Sequence, residues 1–395
     1  MQIYLDHSAT TPTRSEAIAA MHQVLTSGWG NPSSIHQWGE RASTAIEQAR
    51  FQVAASIDAN PDAIVFTSGG TEANNQAIMG VANLYDTPQH LIISSVEHSS
   101  ITAPVRWLEN QGWQVTRLAV DRSGRVNPDD LDLAIRPNTV LVSIIYGQSE
   151  VGTIQPIAEL AAICRQYRVY FHTDAVQAAG RIPIDVQQLG IDLLSMSSHK
   201  LYGPQGTGAL YIRPGIEIVP LLAGGGQEMG QRSGTQAVPQ IAGFGVAAEL
   251  ASDELAVENI RLTGLRDRLF TLLADCPNLI PTGDPFHRLP HHLSFCLNIP
   301  HSDRSEPITG KTIVRQLNLA GIGISAGAAC ASGKLTPSPI LLAMGYSPTD
   351  AVGGIRITLG KSTTAADIDW TAMVLKQILD RSIPNLVHAQ FGCCN

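Results

Sequence analysis

The chain has 395 residues, of which 44% are hydrophobic and 15% charged, with a formal net charge of −8. That length predicts two or three domains, and the apolar fraction argues against a disordered chain. The negative charge, with Lys and Arg scattered rather than gathered in a stripe, argues against a nucleic-acid surface, and no run of about 18 apolar residues marks a membrane span.

From about residue 60 to 215, short apolar strands alternate with helices. Residues 63–67 read as a buried strand running into Ser68-Gly69-Gly70, with a helix from Thr71 to about Tyr85. Residues 91–94 read as a strand and 103–110 as a helix. Strands at 140–145 and 169–172 flank a helix at 157–167, and strands at 193–196 and 209–212 complete the series. Nearly continuous apolar strands separated by helices predict an α/β fold with a largely parallel sheet covered on both faces. Residues 237–275 read as long helices, including 251–273. Strand-like pieces near 292–298 and 355–359 then flank helices and a Gly/Ala/Ser loop, which predicts a second, α+β unit. The expected division is a large domain at 15–250 and a small α+β domain made of 1–14 and 251–395. The end, Phe391-Gly392-Cys393-Cys394-Asn395, reads as a tail.

The N-terminus, Met1-Gln2-Ile3-Tyr4-Leu5-Asp6, has neither the basic start nor the apolar core of a secretion signal, so a cytoplasmic location is expected. In that setting the six cysteines do not predict a disulfide framework, and no C-x-x-C pair marks a metal site. The histidines His287, His291 and His292 invite a metal reading, but no metal is expected.

Three features of the α/β region carry chemistry. Ser68-Gly69-Gly70-Thr71 lies between a strand and a helix, where free N–H groups and the helix dipole favour a phosphate. The same four residues also serve as a plain βα turn with Thr71 as cap. Asp174 ends a parallel strand and so faces the ligand crevice, where it suits a protonated pyridine nitrogen or, alternatively, caps the next helix. Lys200, in Ser197-Ser198-His199-Lys200 before Gly203-Pro204, follows another strand end. A lone lysine is ordinarily a solvated charge. The order of phosphate loop, crevice aspartate and lysine on successive strands of one sheet argues otherwise.

The run from Met196 to Tyr211 resembles the lysine motif of class V, fold-type I pyridoxal-phosphate enzymes, and within them the cysteine desulfurases that supply sulfur for iron–sulfur clusters. The likeness continues in Tyr4-Leu5-Asp6-His7-Ser8-Ala9-Thr10-Thr11-Pro12, Gly30-Asn31-Pro32-Ser33-Ser34-Ile35-His36, Phe66-Thr67-Ser68-Gly69-Gly70-Thr71-Glu72, Glu97-His98 and Arg232-Ser233-Gly234-Thr235. It implies a fold-type I transferase with a mostly parallel seven-stranded sheet and pyridoxal 5′-phosphate as cofactor. By the same resemblance Lys200 carries the cofactor covalently, and Gly70, Thr71, Ser197 and His199 hold its phosphate. His98 stacks on the ring and relays protons, Asp174 pairs with the ring nitrogen, and Gln177 and Ser149 lie at the ring hydroxyl. Thr235 reaches the phosphate of a neighbouring subunit, which implies a homodimer. Asn31 and Arg356 hold the carboxylate of L-cysteine, a task that suits the planar fork of arginine.

Cys330 sits in Ser325-Ala326-Gly327-Ala328-Ala329-Cys330-Ala331-Ser332-Gly333-Lys334, too small and glycine-rich a stretch to pack a core. Cys164 and Cys296, in a helix and a strand, read as buried small hydrophobes, and Cys276 as a helix-end residue. The resemblance makes Cys330 the nucleophile that takes the sulfur and passes it to an acceptor protein. The chain departs from the family pattern at Gln148-Ser149-Glu150, where Asn-Asn-Glu is usual, and at Gly226-Gln227-Glu228-Met229, where His and Arg are usual. Ser149 is short for the ring hydroxyl, so that contact is expected to be weakened or water-bridged. The alternatives are a cystine or selenocysteine lyase on the same scaffold, or a non-catalytic sulfur-binding relative. Cys330 argues against the first, and Lys200 with Asp174 against the second. A nicotinamide dehydrogenase fails for want of a GxGxxG fingerprint.

Overall fold

The computed structural model describes residues 2–298, 308–327 and 336–382. Seven strands form the large sheet, in the order Ile64–Thr67, Gly208–Ile212, Leu193–Ser197, Tyr170–Asp174, Thr139–Ser143, His90–Ser94 and Gln114–Leu118. Gly208–Ile212 runs antiparallel to both neighbours, and the other strands share one direction. Successive side chains point to opposite faces. Phe66, Ile92, Val142, Phe171 and Leu194 therefore pack against Ile46, Val53, Leu160 and Phe244 on one face. On the other, Val65, Leu91, Ile93, Leu141 and Leu193 meet Ala77, Ile78, Ile101 and Val105. This double cover is why the strands read as unbroken apolar runs.

The sequence reading does not mark Gln114–Leu118. It is an edge strand of mixed polarity, with only Leu118 buried, so it has no apolar run to show. The helix after the phosphate loop spans Gly70–Ala82, shorter than the expected reach to Tyr85. The long helical stretch is two helices, Val238–Asp253 and Leu255–Leu273, that meet at Glu254.

A separate core gathers Ile3 and Leu5 with Leu269, Leu293, Phe295, Leu317, Ile357 and Leu375. Its four-stranded sheet runs Ser325–Ala326, Ile355–Thr358, His292–Leu297 and Leu279–Pro281. The N-terminal strand Ile3–Tyr4 pairs in parallel with Ile322–Gly323 there. The chain then crosses to the large sheet, where the Thr11 N–H donates to the His199 carbonyl and the Arg14 N–H to the Tyr202 carbonyl, each at 3.0 Å. Residues 5–14 thus strap the two cores together. Among the described residues no helix is long and apolar enough to cross a membrane.

One buried ion pair fixes an edge of the large sheet. Arg50 donates to Glu228 through two nitrogens, at 2.8 and 3.0 Å. Glu228 also accepts the Phe66 N–H at 2.9 Å and the Gln236 amide at 3.1 Å, and Arg50 donates to the Ile64 carbonyl at 2.7 Å. These bonds hold Glu228 and Met229 at φ 49° and 56°, a left-handed pair that neither side chain favours. Removing one partner strands a buried charge. Glu228→Ala is therefore expected to cost about 3–5 kcal/mol of unfolding free energy, read as a lowered urea midpoint.

Candidate active site

At the carboxyl edge of the parallel strands lies a cavity of about 570 Å³. Each wall follows from a strand ending. The first strand ends at Thr67, and Gly69 (φ 150°) turns the chain into the helix Gly70–Ala82, whose N-terminus no side chain caps. A Cβ at Gly70 would stand 2.6 Å from Val176 Cγ2, so only glycine fits there without moving Val176. Asn74 follows Gly70 by one helical turn and so shares its face.

The strand His90–Ser94 leads to Glu97 and His98, and His98 is the N-cap of the helix Ser99–Glu109. Tyr170–Asp174 delivers Asp174, whose carboxylate accepts the Val176 N–H at 3.0 Å and the Asn74 amide at 2.7 Å. Leu193–Ser197 delivers Ser197, His199 and Lys200. The small core closes the opposite wall with Ser325, Ala326, Gly327, Thr336, Pro337 and Arg356.

Of the residues singled out from the sequence, Gly70, Thr71, His98, Ser149, Asp174, Gln177, Ser197, His199, Lys200 and Arg356 all line this one cavity. Asn31 and Thr235 do not. Both are exposed, and the Asn31 side chain is turned to the Ser33 N–H at 3.0 Å. Cys330, Cys393 and Cys394 lie outside the described residues. Cys164 and Cys296 are buried as expected, with burial pushing both thiols up, Cys296 to about 12. His291 and His292 are buried against the small sheet, and burial holds both far below the ordinary imidazole range.

Burial also sets the charges of the cavity. It lowers Lys200 to about 8, helped by Arg356 and opposed by Asp6 and Asp174. The Lys200 Nζ donates to the carbonyls of Ser8 and Ala9, at 2.6 and 2.7 Å. Burial raises Asp174, while the Val176 N–H, His98, Asn74 and Lys200 pull it back. His199 is lowered to about 4 by burial and then by Lys200. Arg356 donates to the Ser149 carbonyl at 2.9 Å and to Asp6 at 2.7 Å, and its buried Nε has no protein partner.

Two carboxyls that sequence reasoning left without a role line the same space. Glu97 accepts from the Ser94 hydroxyl at 2.5 Å and the Ile145 N–H at 2.8 Å through Oε1, and its Oε2 is buried without a partner. Burial, and then Asp174, raise it to about 8. Glu150 accepts from the Ser338 hydroxyl at 2.5 Å and is raised to about 7 by burial. The only signal for Glu97 in the sequence is its place beside His98.

The model of the family described as "Aminotransferase class-V" matches residues 3–370. The chain belongs to that family. It is 46% identical over 382 residues to the cysteine desulfurase IscS of Dictyoglomus turgidum, covering 96% of this chain and 95% of that one. It is 42% identical to the mitochondrial cysteine desulfurase of Saccharomyces cerevisiae, covering 96% and 74%. A solved structure of a NifS-like protein superposes with a TM-score of 0.89 at 34% identity, covering 96% of this chain and all of that one. The NifS-like protein of Rickettsia africae gives 0.85 at 31%, with the same coverage. Relatives this similar over nearly the full length support cysteine desulfurase function, and the class-V family makes the chain a pyridoxal-phosphate-dependent enzyme of fold type I. The cavity fits that cofactor. It offers an uncapped helix N-terminus with a glycine cradle, a buried aspartate, an amine lowered toward neutrality, and unpartnered polar atoms on Glu97 and Asn74.

Glu97 makes a pH prediction for the apoprotein. Its carboxyl stays protonated in the fold up to about pH 8 but ionises above about 4.5 in the unfolded chain. The fold then binds more protons than the unfolded chain, so stability falls as pH rises through that window and levels off above it. The buried neutral His172, lowered to about 3, acts in the opposite sense only below the ordinary histidine pKa of about 6.5. Between about pH 6.5 and 8, Glu97→Gln should flatten the decline by up to about 1.4 kcal/mol per pH unit. Equal slopes in urea melts of wild type and variant would show that Glu97 does not titrate there.

Proposed function

We propose that the enzyme removes sulfur from L-cysteine to give L-alanine and a persulfide on Cys330, which then hands the sulfur to an acceptor protein for iron–sulfur cluster or thio-cofactor synthesis. The observation that carries this is the gathering of Lys200, Asp174, His98, an uncapped helix N-terminus and Arg356 around one cavity, with Gly327 on its wall three residues before Cys330. Lys200 would hold pyridoxal 5′-phosphate, with its phosphate at Gly70, Thr71, Ser197 and His199, its ring nitrogen at Asp174 and its ring under His98. Gln177 and Ser149 are assigned to the ring hydroxyl. Gln177 already donates to the Ser8 carbonyl at 2.9 Å, which fixes where its amide points. When bound, the cofactor supplies an electron sink for carbanion chemistry at the amino acid.

The protein supplies position and protons. Arg356, clamped by Asp6 and the Ser149 carbonyl, is held at the cavity wall for the substrate carboxylate. Asn31 is assigned as its second partner. The lowered Lys200 amine suits proton transfer near neutral pH. The Cys330 thiolate attacks the substrate sulfur. An S–S bond forms and the C–S bond breaks, and the electron pair stays with the three-carbon fragment, which takes a proton and leaves as alanine.

We infer a homodimer, in which the exposed Thr235 reaches the phosphate of the second copy, and a cytoplasmic setting. The split into a large domain at 15–250 and a small one at 1–14 and 251–395 is supported by the two separate apolar cores.

Borohydride should trap a cofactor adduct on Lys200 in the wild type and none in Lys200→Ala. Cys330→Ser should keep that adduct but reduce alanine release from L-cysteine to background. Full alanine release by Cys330→Ser would instead favour a lyase that needs no enzyme thiol.

A further inference from the structure

His98 carries its ring proton in a place that hydrogen-bond counting can settle. As N-cap of the helix Ser99–Glu109, its Nδ1 accepts the Ser100 N–H at 3.2 Å, as an N-cap side chain accepts from the second helical residue. The Ser100 hydroxyl lies 2.7 Å from the same nitrogen. Asn74 supplies the rest of the chain. Its amide nitrogen donates to Asp174 Oδ2 at 2.7 Å and to Ser100 Oγ at 2.8 Å, which uses both of its hydrogens. The Ser100 oxygen accepts from Asn74, and because Nδ1 already accepts the Ser100 N–H, the hydroxyl hydrogen points to that same nitrogen. Two donors converge on Nδ1, so in the neutral ring Nδ1 holds the lone pair and Nε2 holds the proton. Nε2 makes no hydrogen bond among the described residues, and His98 lines the cavity.

We infer that Ser100 and Asn74 are positioning residues that lock His98 in its Nε2–H form and tie it through one amide to Asp174. At rest His98 then presents an N–H hydrogen-bond donor, and no lone pair, to the cavity. One amide sets both the tautomer of the imidazole and the orientation of the carboxylate assigned to the cofactor ring. The serine matters because it is donor and acceptor at once. An alanine at 100 leaves Nδ1 only the longer backbone contact and leaves one Asn74 hydrogen without its acceptor. The catalytic use of this Nε2–H donor rests on the desulfurase reading; the tautomer does not.

The test is nitrogen NMR of the protein labelled in its histidine rings, as apoprotein and as holoenzyme, with the His98 signals identified by their loss in His98→Gln. The expected result is Nε2–H for His98 in the wild type and in Ser100→Thr, which keeps the hydroxyl, and a mixture with Nδ1–H in Ser100→Ala. In steady-state assays with L-cysteine, Ser100→Ala should lower kcat about five- to tenfold, the worth of roughly one hydrogen bond, with KM unchanged and Ser100→Thr close to wild type. An Nδ1–H ring in the wild type, or a wild-type tautomer in Ser100→Ala, overturns the inference. Because the tautomer is read without substrate, a wild type that releases no alanine would count against the desulfurase reaction alone.

Discussion

In a parallel sheet, strands that share a direction end at the same edge, and the backbone groups and side chains just past those ends have no ladder left to satisfy them. The site grows out of that constraint. Thr67, Ser94, Asp174 and Ser197 end four such strands, and the residues that follow them form most of the cavity wall. The edge is covered by the strap of residues 5–14, anchored at one end in the small core and at the other on the His199 and Tyr202 carbonyls. The strap's own carbonyls at Ser8 and Ala9 hold the Lys200 amine, and its Asp6 holds Arg356. The two cores are thus joined by polar bonds that run through the active site, beside an apolar cluster in which Val96, Ile145 and Val151 meet Cys296, Leu341 and Met344.

Covering the edge also lowers its dielectric, and this tunes the chemistry. Burial disfavours whichever form is charged, so it raises Glu97, Glu150 and Asp174 and lowers Lys200 and His199. Lys200, Glu97 and Glu150 are drawn from opposite ends of the pH scale to between about 7 and 8. Groups poised near neutrality exchange protons at small cost, which a reaction with several proton transfers requires. The hydrogen-bonded chain His98–Ser100–Asn74–Asp174 adds direction to that poise, because each member has a fixed role as donor or acceptor.

The parts of the site legible in the sequence are those where a residue type is forced by local geometry. Gly70 opens a helix just after a strand, Asp174 ends an apolar strand, and Lys200 follows the strand end at Ser197. Asn74 and Ser100 escaped notice because an asparagine in a helix and a serine in a first turn are ordinary residues. Their roles come from meeting each other across a span of 26 positions and Asp174 across 100. Gln114–Leu118 escaped for a different reason, since an edge strand with one wet side carries no run of apolar residues. The buried Arg50–Glu228 pair was equally silent, as its members are 178 positions apart.

By itself the sequence determined the α/β class, the order of the phosphate loop, crevice aspartate and lysine, and the likeness to the desulfurases. These depend on apolar periodicity and on motifs whose residues act within a few positions of one another. Only the tertiary structure decided what those residues experience. Packing one core against the other carries Lys200, Asp174, Glu97 and Glu150 out of water, and desolvation then shifts each of them. Only the fold brings Asn74 to Ser100 and Asp174, and so ties the local His98 cap to the crevice carboxylate. Desolvation and donor counting depend on every atom around a group, and most of those atoms come from distant parts of the chain.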